Sequence, residues 1–299
     1  MNLKNLIPLM LFISCCMFSE TKLLVLGSGT PNPDPDRSGS AYAVVVNGKS
    51  YLVDFGPGVV RRASSFSPSW GGDFESMEIK NLEYAFLTHL HSDHSAGLAD
   101  LILTPWVLER ENSLKLFGPE GLENMATKIT EAYLEDIDYR INGSQPSNLN
   151  GYKTEIKEIS EGLIFQDKNI KVEAFLNNHG DFKNSFGFIF TTADKKIVFS
   201  GDTAYSEKLI SIAKNADILV HEVYSEQGFK EKSMDWQKYH KAHHTSSVDV
   251  GRIAQSTQPK KLVLSHILFW GKSEKSIIEE VKEHFKGNVL VAEDLMVID

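Results

Sequence analysis

Short apolar runs, each closed by a polar or glycine-rich turn, recur along this chain and predict strands buried on both faces. The first covers residues 22–27 and ends in a Gly- and Pro-dense loop, Gly27 to Gly39, of the kind that borders a site rather than fills a core. Residues 41–46, the dipeptide Asn47-Gly48 and residues 50–54 predict a β-hairpin with its turn written out. Gly56-Pro57-Gly58 stops that hairpin and predicts a short helix over residues 59–63, with Pro57 in its first turn. Strands are predicted at 84–87 and 114–117, with a helix at 98–103 between them. Leu122, Met125, Ile129 and Tyr133 recur at helical spacing and predict one amphipathic helix over 122–133 packed on the body. A polar loop at 142–150 follows, carrying Asn142-Gly143-Ser144, which fits a glycosylation sequon. The second half repeats the alternation, with strands at 170–175, 186–191, 196–200, 218–223 and 262–265 and helices at 207–214, 247–254 and 274–285. Residues 289–298 close the chain. Strands followed by helices, twice over, predict an α/β protein with two sheets face to face and helices outside.

The start of the chain stands apart from this pattern. A single lysine, Lys4, precedes an uncharged apolar run over residues 6–18, too short to span a bilayer and shaped like the core of a secretory signal. Residues 1–19 are therefore expected to be a signal peptide, leaving one domain over 20–299. Both cysteines, Cys15 and Cys16, fall in this run, and Leu11-Phe12-Ile13-Ser14-Cys15 resembles a bacterial lipoprotein signal. Plain cleavage, acylation at Cys15 or Cys16, and an uncleaved anchor are the alternatives. The expected location is outside the bacterial cytoplasm, in the periplasm or on a membrane through an N-terminal lipid. Residues 20–299 then contain no cysteine, so any metal must be held by His and carboxylate.

Composition narrows the task. An apolar share of 41% supports a substantial core, and 40 acidic against 31 basic residues argues against a protein dedicated to wrapping polyanions. The chemistry is concentrated in Thr88-His89-Leu90-His91-Ser92-Asp93-His94, an HxHxDH motif that directly follows a predicted strand. His89 and His91, two apart in an extended loop, can point to one side, while the neighbours Asp93 and His94 diverge and can reach a second ion. Three more His or Asp side chains end predicted strands: His179 in Asn178-His179-Gly180, Asp202 in Ser200-Gly201-Asp202-Thr203, and His266 in Leu264-Ser265-His266.

This HxHxDH resembles the signature of the metallo-β-lactamase superfamily, and the resemblance runs from about Leu23 to the C-terminus. It implies a four-layer αβ/βα sandwich and two divalent metal ions. One ion would take His89, His91 and His179; the other would take Asp93, His94 and His266. Asp202 would bridge them beside a shared hydroxide, the expected nucleophile. Zinc is the default for neutral imidazoles with few carboxylates, manganese and iron being the alternatives.

Ser200-Gly201-Asp202-Thr203, His221-Glu222, His244-Thr245-Ser246 and Leu264-Ser265-His266 resemble more narrowly the ribonuclease Z branch and the related metal-dependent arylsulfatases. That resemblance implies His244, paired with Asp93, as general acid, with His243 a spare choice and Glu222 placed to orient the acid. Thr245 or Ser246 caps the helix that follows. The wording departs from ribonuclease Z in two places: the stretch from His179 to Asp202 is too short for the tRNA-gripping arm of the bacterial enzymes, and Asp54-Phe55-Gly56-Pro57-Gly58 is closer to the arylsulfatase-like group. The expected activity is hydrolysis of a small phosphodiester, cyclic nucleotide or sulfate ester, with nucleic acid disfavoured as a partner. Ribonuclease Z-like tRNA 3′-end processing is the alternative enzyme, and a surface lipoprotein that binds metal or ligand without catalysis is the alternative of another class. A homodimer is expected from the resembled branch.

Overall fold

The computed structural model of the chain describes residues 20–299. The signal-peptide reading, with Cys15 and Cys16, lies outside the described residues. Among the described residues, fourteen strands form two seven-stranded sheets. The first sheet contains β1 (Lys22–Gly27), β2 (Ala41–Val46), β3 (Lys49–Val53), β4 (Tyr84–Phe86), β5 (Leu114–Gly118) and β6 (Thr154–Glu158). The second contains β7 (Gly162–Gln166), β8 (Lys171–Leu176), β9 (Phe186–Thr191), β10 (Lys196–Phe199), β11 (Ile218–Tyr224), β12 (Lys261–Leu268) and β13 (Val289–Val291). The last strand, β14 (Val297–Ile298), returns to the first sheet beside β1, giving the orders β14-β1-β2-β3-β4-β5-β6 and β13-β12-β11-β10-β9-β8-β7. Each sheet is antiparallel on one side and parallel on the other: β1 to β3 and β7 to β10 run as meanders, and β3 to β6 and β10 to β13 pair parallel.

The strand runs are apolar throughout because both of their faces are covered. Leu23 and Val25 of β1 and Tyr42 and Val44 of β2 enter the core between the sheets, with Phe188 and Phe190 of β9 and Val220 of β11 opposite. The alternate residues Leu24, Leu26, Ala41 and Ala43 face outward under α1 (Val59–Ser64), α3 (Leu98–Val107) and α4 (Leu122–Ala132). Leu219, Leu262 and Leu264 do the same on the other sheet, under α6 (Glu207–Ile212), α9 (Ser247–Thr257) and α10 (Glu274–Lys282). Three apolar layers between four layers of secondary structure make an αβ/βα sandwich, as expected. No helix among the described residues is long and apolar enough to cross a membrane.

Several local expectations are corrected. The stripe over 122–133 is not one helix: α4 stops at Ala132, a second helix, α5 (Leu134–Asn142), follows at once, and Tyr133 lies exposed at the junction. Pro57 is outside its helix, because Gly58, at φ +92°, is the N-cap of α1. The edge strands β6, which is polar, and β7, which is short and largely exposed, and the polar helices α7 (Glu226–Lys230) and α8 (Met234–His243) were not predicted.

Candidate metal centre

The ligand side chains gather at the C-terminal ends of β4, β8, β10 and β12, of which β4, β10 and β12 have parallel neighbours and β8 has none. Beyond β4 the chain bends at Thr88, runs without regular structure through His91 and then turns into the short helix α2 (Ser92–Ser95). Asp93 and His94 are thus helical rather than loop residues. His179 follows β8, Asp202 follows β10, and His266 lies in β12 at a bulge where register shifts against β11. Its backbone is left-handed, φ +46°, which turns the ring off the sheet; Asp54 at the end of β3 is similarly left-handed, φ +58°. Glycine lets these segments meet: a Cβ on Gly56 would lie 2.2 Å from Asp93 O, and one on Gly180 2.0 Å from His243 Nε2.

All seven sequence-predicted ligands come together. Ligand atoms of His89, His91, His179 and Asp202 lie within 4.8 Å of one another, and so do those of Asp93, His94 and His266, and of Asp202, His244 and His266. In the first group His91 Nδ1 is 2.9 Å from His89 Nε2 and 3.3 Å from His179 Nε2. In the second, Asp93 Oδ2 is 2.9 Å from His266 Nε2 and 3.5 Å from His94 Nε2. Asp202 Oδ2 stands between the groups, 3.5 Å from His94 and His266 and 3.9 Å from His89. These atoms fit a divalent cation. His94 Nε2 is buried with no hydrogen-bond partner, and imidazole lone pairs and two carboxylates converge where only positive charge can satisfy them.

The opposite ring nitrogens are held from behind, which fixes each ring with its other nitrogen turned toward the cluster. His179 Nδ1 donates to His243 O at 2.8 Å, and His94 Nδ1 to Asp54 Oδ2 at 2.7 Å. His89 Nδ1 contacts Thr88 Oγ1 at 3.0 Å, and the Thr88 hydroxyl and amide both donate to Asp54 Oδ1. Asp54 and Thr88 were missed in the sequence reading. The available signal was an acid ending a hairpin strand beside the HxHxDH strand, where it has no water to face.

Electrostatics follows from burial and crowding. Burial holds His89 well below the ordinary histidine value and His179 down at about 4, so both are neutral and ready to ligate. Burial opposes charge on His94 too, yet Asp202, Asp54 and Asp93 together keep it well above the ordinary value. Burial disfavours an ionised Asp202, but His266 and His94 hold it well below the carboxylate range.

His244, the expected acid, lines the cavity above the ligands, with Nδ1 3.3 Å from Glu222 Oε2. Glu222 Oε1 accepts from Thr245 N at 2.7 Å, so the strand carboxylate is fixed beside the ring. Burial pushes His244 down to about 4, while burial and the charge of Asp202 push Glu222 up. His243 is not a second acid: its Nδ1 bonds Tyr239 O within α8, its ring stacks on Tyr239 at 4.1 Å, and only its carbonyl serves the site. Ser246 caps α9, accepting from Asp249 N.

The cavity has a volume of about 510 Å³, floored by Asp93, Asp202 and His266 and walled by Trp236, Tyr239 and Trp270. The aromatic wall also went unread, although Trp236, Tyr239 and His240 have the i, i+3, i+4 spacing of a helix face.

A four-layer sandwich carrying this His and Asp cluster defines a metal-dependent hydrolase of the metallo-β-lactamase superfamily. Residues 21–235 match the family described as anti-Pycsar protein Apyc1, and the chain belongs to that family. It is also 30% identical over 249 residues to the ribonuclease Z of Mycobacterium sp. strain KMS, covering 83% of this chain and 84% of the relative. Among solved structures, YhfI of Bacillus subtilis, a metallo-β-lactamase fold protein, superposes with a TM-score of 0.72 at 20% identity, covering 93% of this chain and 98% of its own. The short form of human tRNase Z does so with 0.65 at 23% identity, covering 93% and 98%.

Proposed function

We propose that this protein is an exported hydrolase of small phosphodiesters, nucleoside cyclic phosphates foremost, with a pair of divalent ions, by default zinc, on the two ligand groups joined by Asp202. The observation that carries the reading is the single cavity that joins the ligand cluster, His244 and an aromatic wall in a space the size of one small molecule. Bound metal supplies positive charge for a phosphoryl oxygen and activates water. The chain's own residues handle the proton: Glu222, facing His244 Nδ1, orients the ring so that His244 presents Nε2–H to the leaving oxygen. The apolar run over residues 6–18 supports export.

The 30% identity to ribonuclease Z favours a second reading, cleavage at the 3′ end of tRNA. Against it stand the net charge of −9 and the stretch from His179 to Asp202, which is filled by β9 and β10 and projects no arm. The test is parallel assay of the zinc-loaded domain on adenosine 3′,5′-cyclic phosphate, bis(p-nitrophenyl) phosphate, p-nitrophenyl sulfate and a 3′-extended tRNA, with Asp202→Ala as control. The phosphodiesters are expected to be cleaved and the tRNA left intact. Cleavage of the tRNA alone selects the second reading, cleavage of the sulfate alone selects a sulfatase, and metal binding without turnover of any ester leaves only a binding protein.

A further inference from the structure

The wall of the cavity opposite the ligands is built for something the hydrolytic chemistry does not need. On α8, Trp236 is 56% exposed and lies nearly parallel to His240, centroids 5.6 Å apart at 24°. His240 is buried and sits 4.6 Å from the Trp270 ring and 5.8 Å from His244. Its Nδ1 is enclosed with no hydrogen-bond partner, which leaves Nε2 as the nitrogen that can meet a molecule in the cavity His240 lines. Trp270 is held in the left-handed region, φ +48°, an unfavourable conformation for so bulky a residue. It is fixed there between Tyr224, 5.5 Å away, and the Lys232 ammonium, 4.8 Å from the ring centroid. Strain of this kind persists where the surroundings over-determine it, and here it fixes a flat apolar surface at the mouth of the site.

Resting on the phosphodiester reading, we infer that Trp236, His240 and Trp270 form a subsite for a planar heteroaromatic ring on the non-reacting part of the substrate. The ring stacks on the exposed face of Trp236 against the fixed Trp270, and His240 Nε2–H donates to an acceptor on its edge. Stacking accepts any base, since every base has a π face. The hydrogen bond from His240 is the specificity-determining contact: a ring without an acceptor there leaves a buried donor unmatched.

The experiment compares uridine 3′,5′-cyclic phosphate with the base-free methyl ribofuranoside 3′,5′-cyclic phosphate on the zinc-loaded protein. His240→Ala is expected to lower the ratio of kcat/KM for the uridine ester over the base-free ester about tenfold, the effect of one lost hydrogen bond. The loss should appear in KM rather than kcat, and His240→Gln, which keeps an N–H donor, should recover most of it. Trp236→Leu, at an exposed position that folding does not depend on, is expected to lower the same ratio by roughly tenfold or more. A ratio unchanged within twofold in both variants overturns the subsite. Binding is read separately, as quenching of tryptophan fluorescence by uridine 3′,5′-cyclic phosphate in the Asp202→Ala protein. If neither ester is turned over, the phosphodiester reading fails, and the subsite then stands on quenching that Trp236→Leu abolishes or falls on its absence.

Discussion

Asp54 accepts from His94 Nδ1 through one oxygen and from Thr88, the partner of His89, through the other, so one carboxylate orients a histidine in each ligand group. Removing such a partner behind a metal-ligating histidine costs about 10–100-fold in metal affinity. Asp54→Ala is therefore expected to weaken zinc binding by about that factor without touching a ligand. A proton count separates this from general damage. Without metal, His94 is held well above its ordinary value, hence charged at pH 7, so zinc must displace its proton; His89 and His179, held below theirs, have none to lose. Titration calorimetry at pH 7 in two buffers of different ionisation enthalpy should show proton release on zinc binding by the native protein. Less should be released by Asp54→Ala, where one of the charges that keep His94 protonated is gone. Equal affinity and equal release in both proteins would remove Asp54 from the site. The contrast in legibility is physical. His89, His91, Asp93 and His94 are adjacent in sequence because one strand end delivers them together, whereas Asp54 acts through a tertiary contact and a left-handed backbone that no spacing announces.

The element that follows the ligand loop depends on a residue with no catalytic task. Helix α3 contains Pro105, which has no N–H to give the carbonyl of Leu101 one turn earlier. Arg110, fully buried, supplies the missing donor: its NH1 bonds Leu101 O at 2.9 Å and Leu82 O at 3.0 Å, and its NH2 bonds Ile102 O and Gly151 O. Burial lowers its guanidinium to about 10, which leaves it charged at neutral pH among carbonyl dipoles. Arg110→Met would orphan several buried carbonyls at once, and the expected loss is about 3–5 kcal/mol in urea unfolding. Arg110→Lys is expected to recover little, since an ammonium cannot span the planar fork. A loss under about 1 kcal/mol for Arg110→Met would mean that those carbonyls find other partners. Elements were legible in the sequence where burial on both faces wrote a continuous apolar run, as in β1, β2, β11 and β12. They were not where the element is an edge or surface piece: β6 reads Thr-Glu-Ile-Lys-Glu, and α8 packs its aromatic stripe on a site rather than on the core.

At the scale of the whole molecule the ligands come from both halves. His89, His91, Asp93 and His94 extend from the first sheet, and His179, Asp202 and His266 from the second, so a bound ion ties together sheets that otherwise meet through the apolar layer between them. The two-layered repetition was readable because strand-then-helix alternation recurs in each half; the closing of the site across the halves depends on strand order, which the pattern of apolar residues does not encode. Metal that binds only the folded state stabilises it by about 4 kcal/mol at a thousandfold excess over Kd, which for a chain of this size corresponds to roughly 8–16 °C in the thermal midpoint. Chelation of the zinc-loaded protein is expected to lower the midpoint by that order. The shift should shrink as pH falls from 7 to 5, because protons then compete with zinc for the imidazoles. Asp202→Ala, which removes the carboxylate shared by both groups, should abolish most of the zinc-dependent shift, and His91→Ala, which removes a ligand from one group, only part of it. Should the two variants lose the same share, the groups act as a single ion site and Asp202 bridges nothing; should chelation leave the midpoint unmoved, the sheets are held by their apolar layer alone.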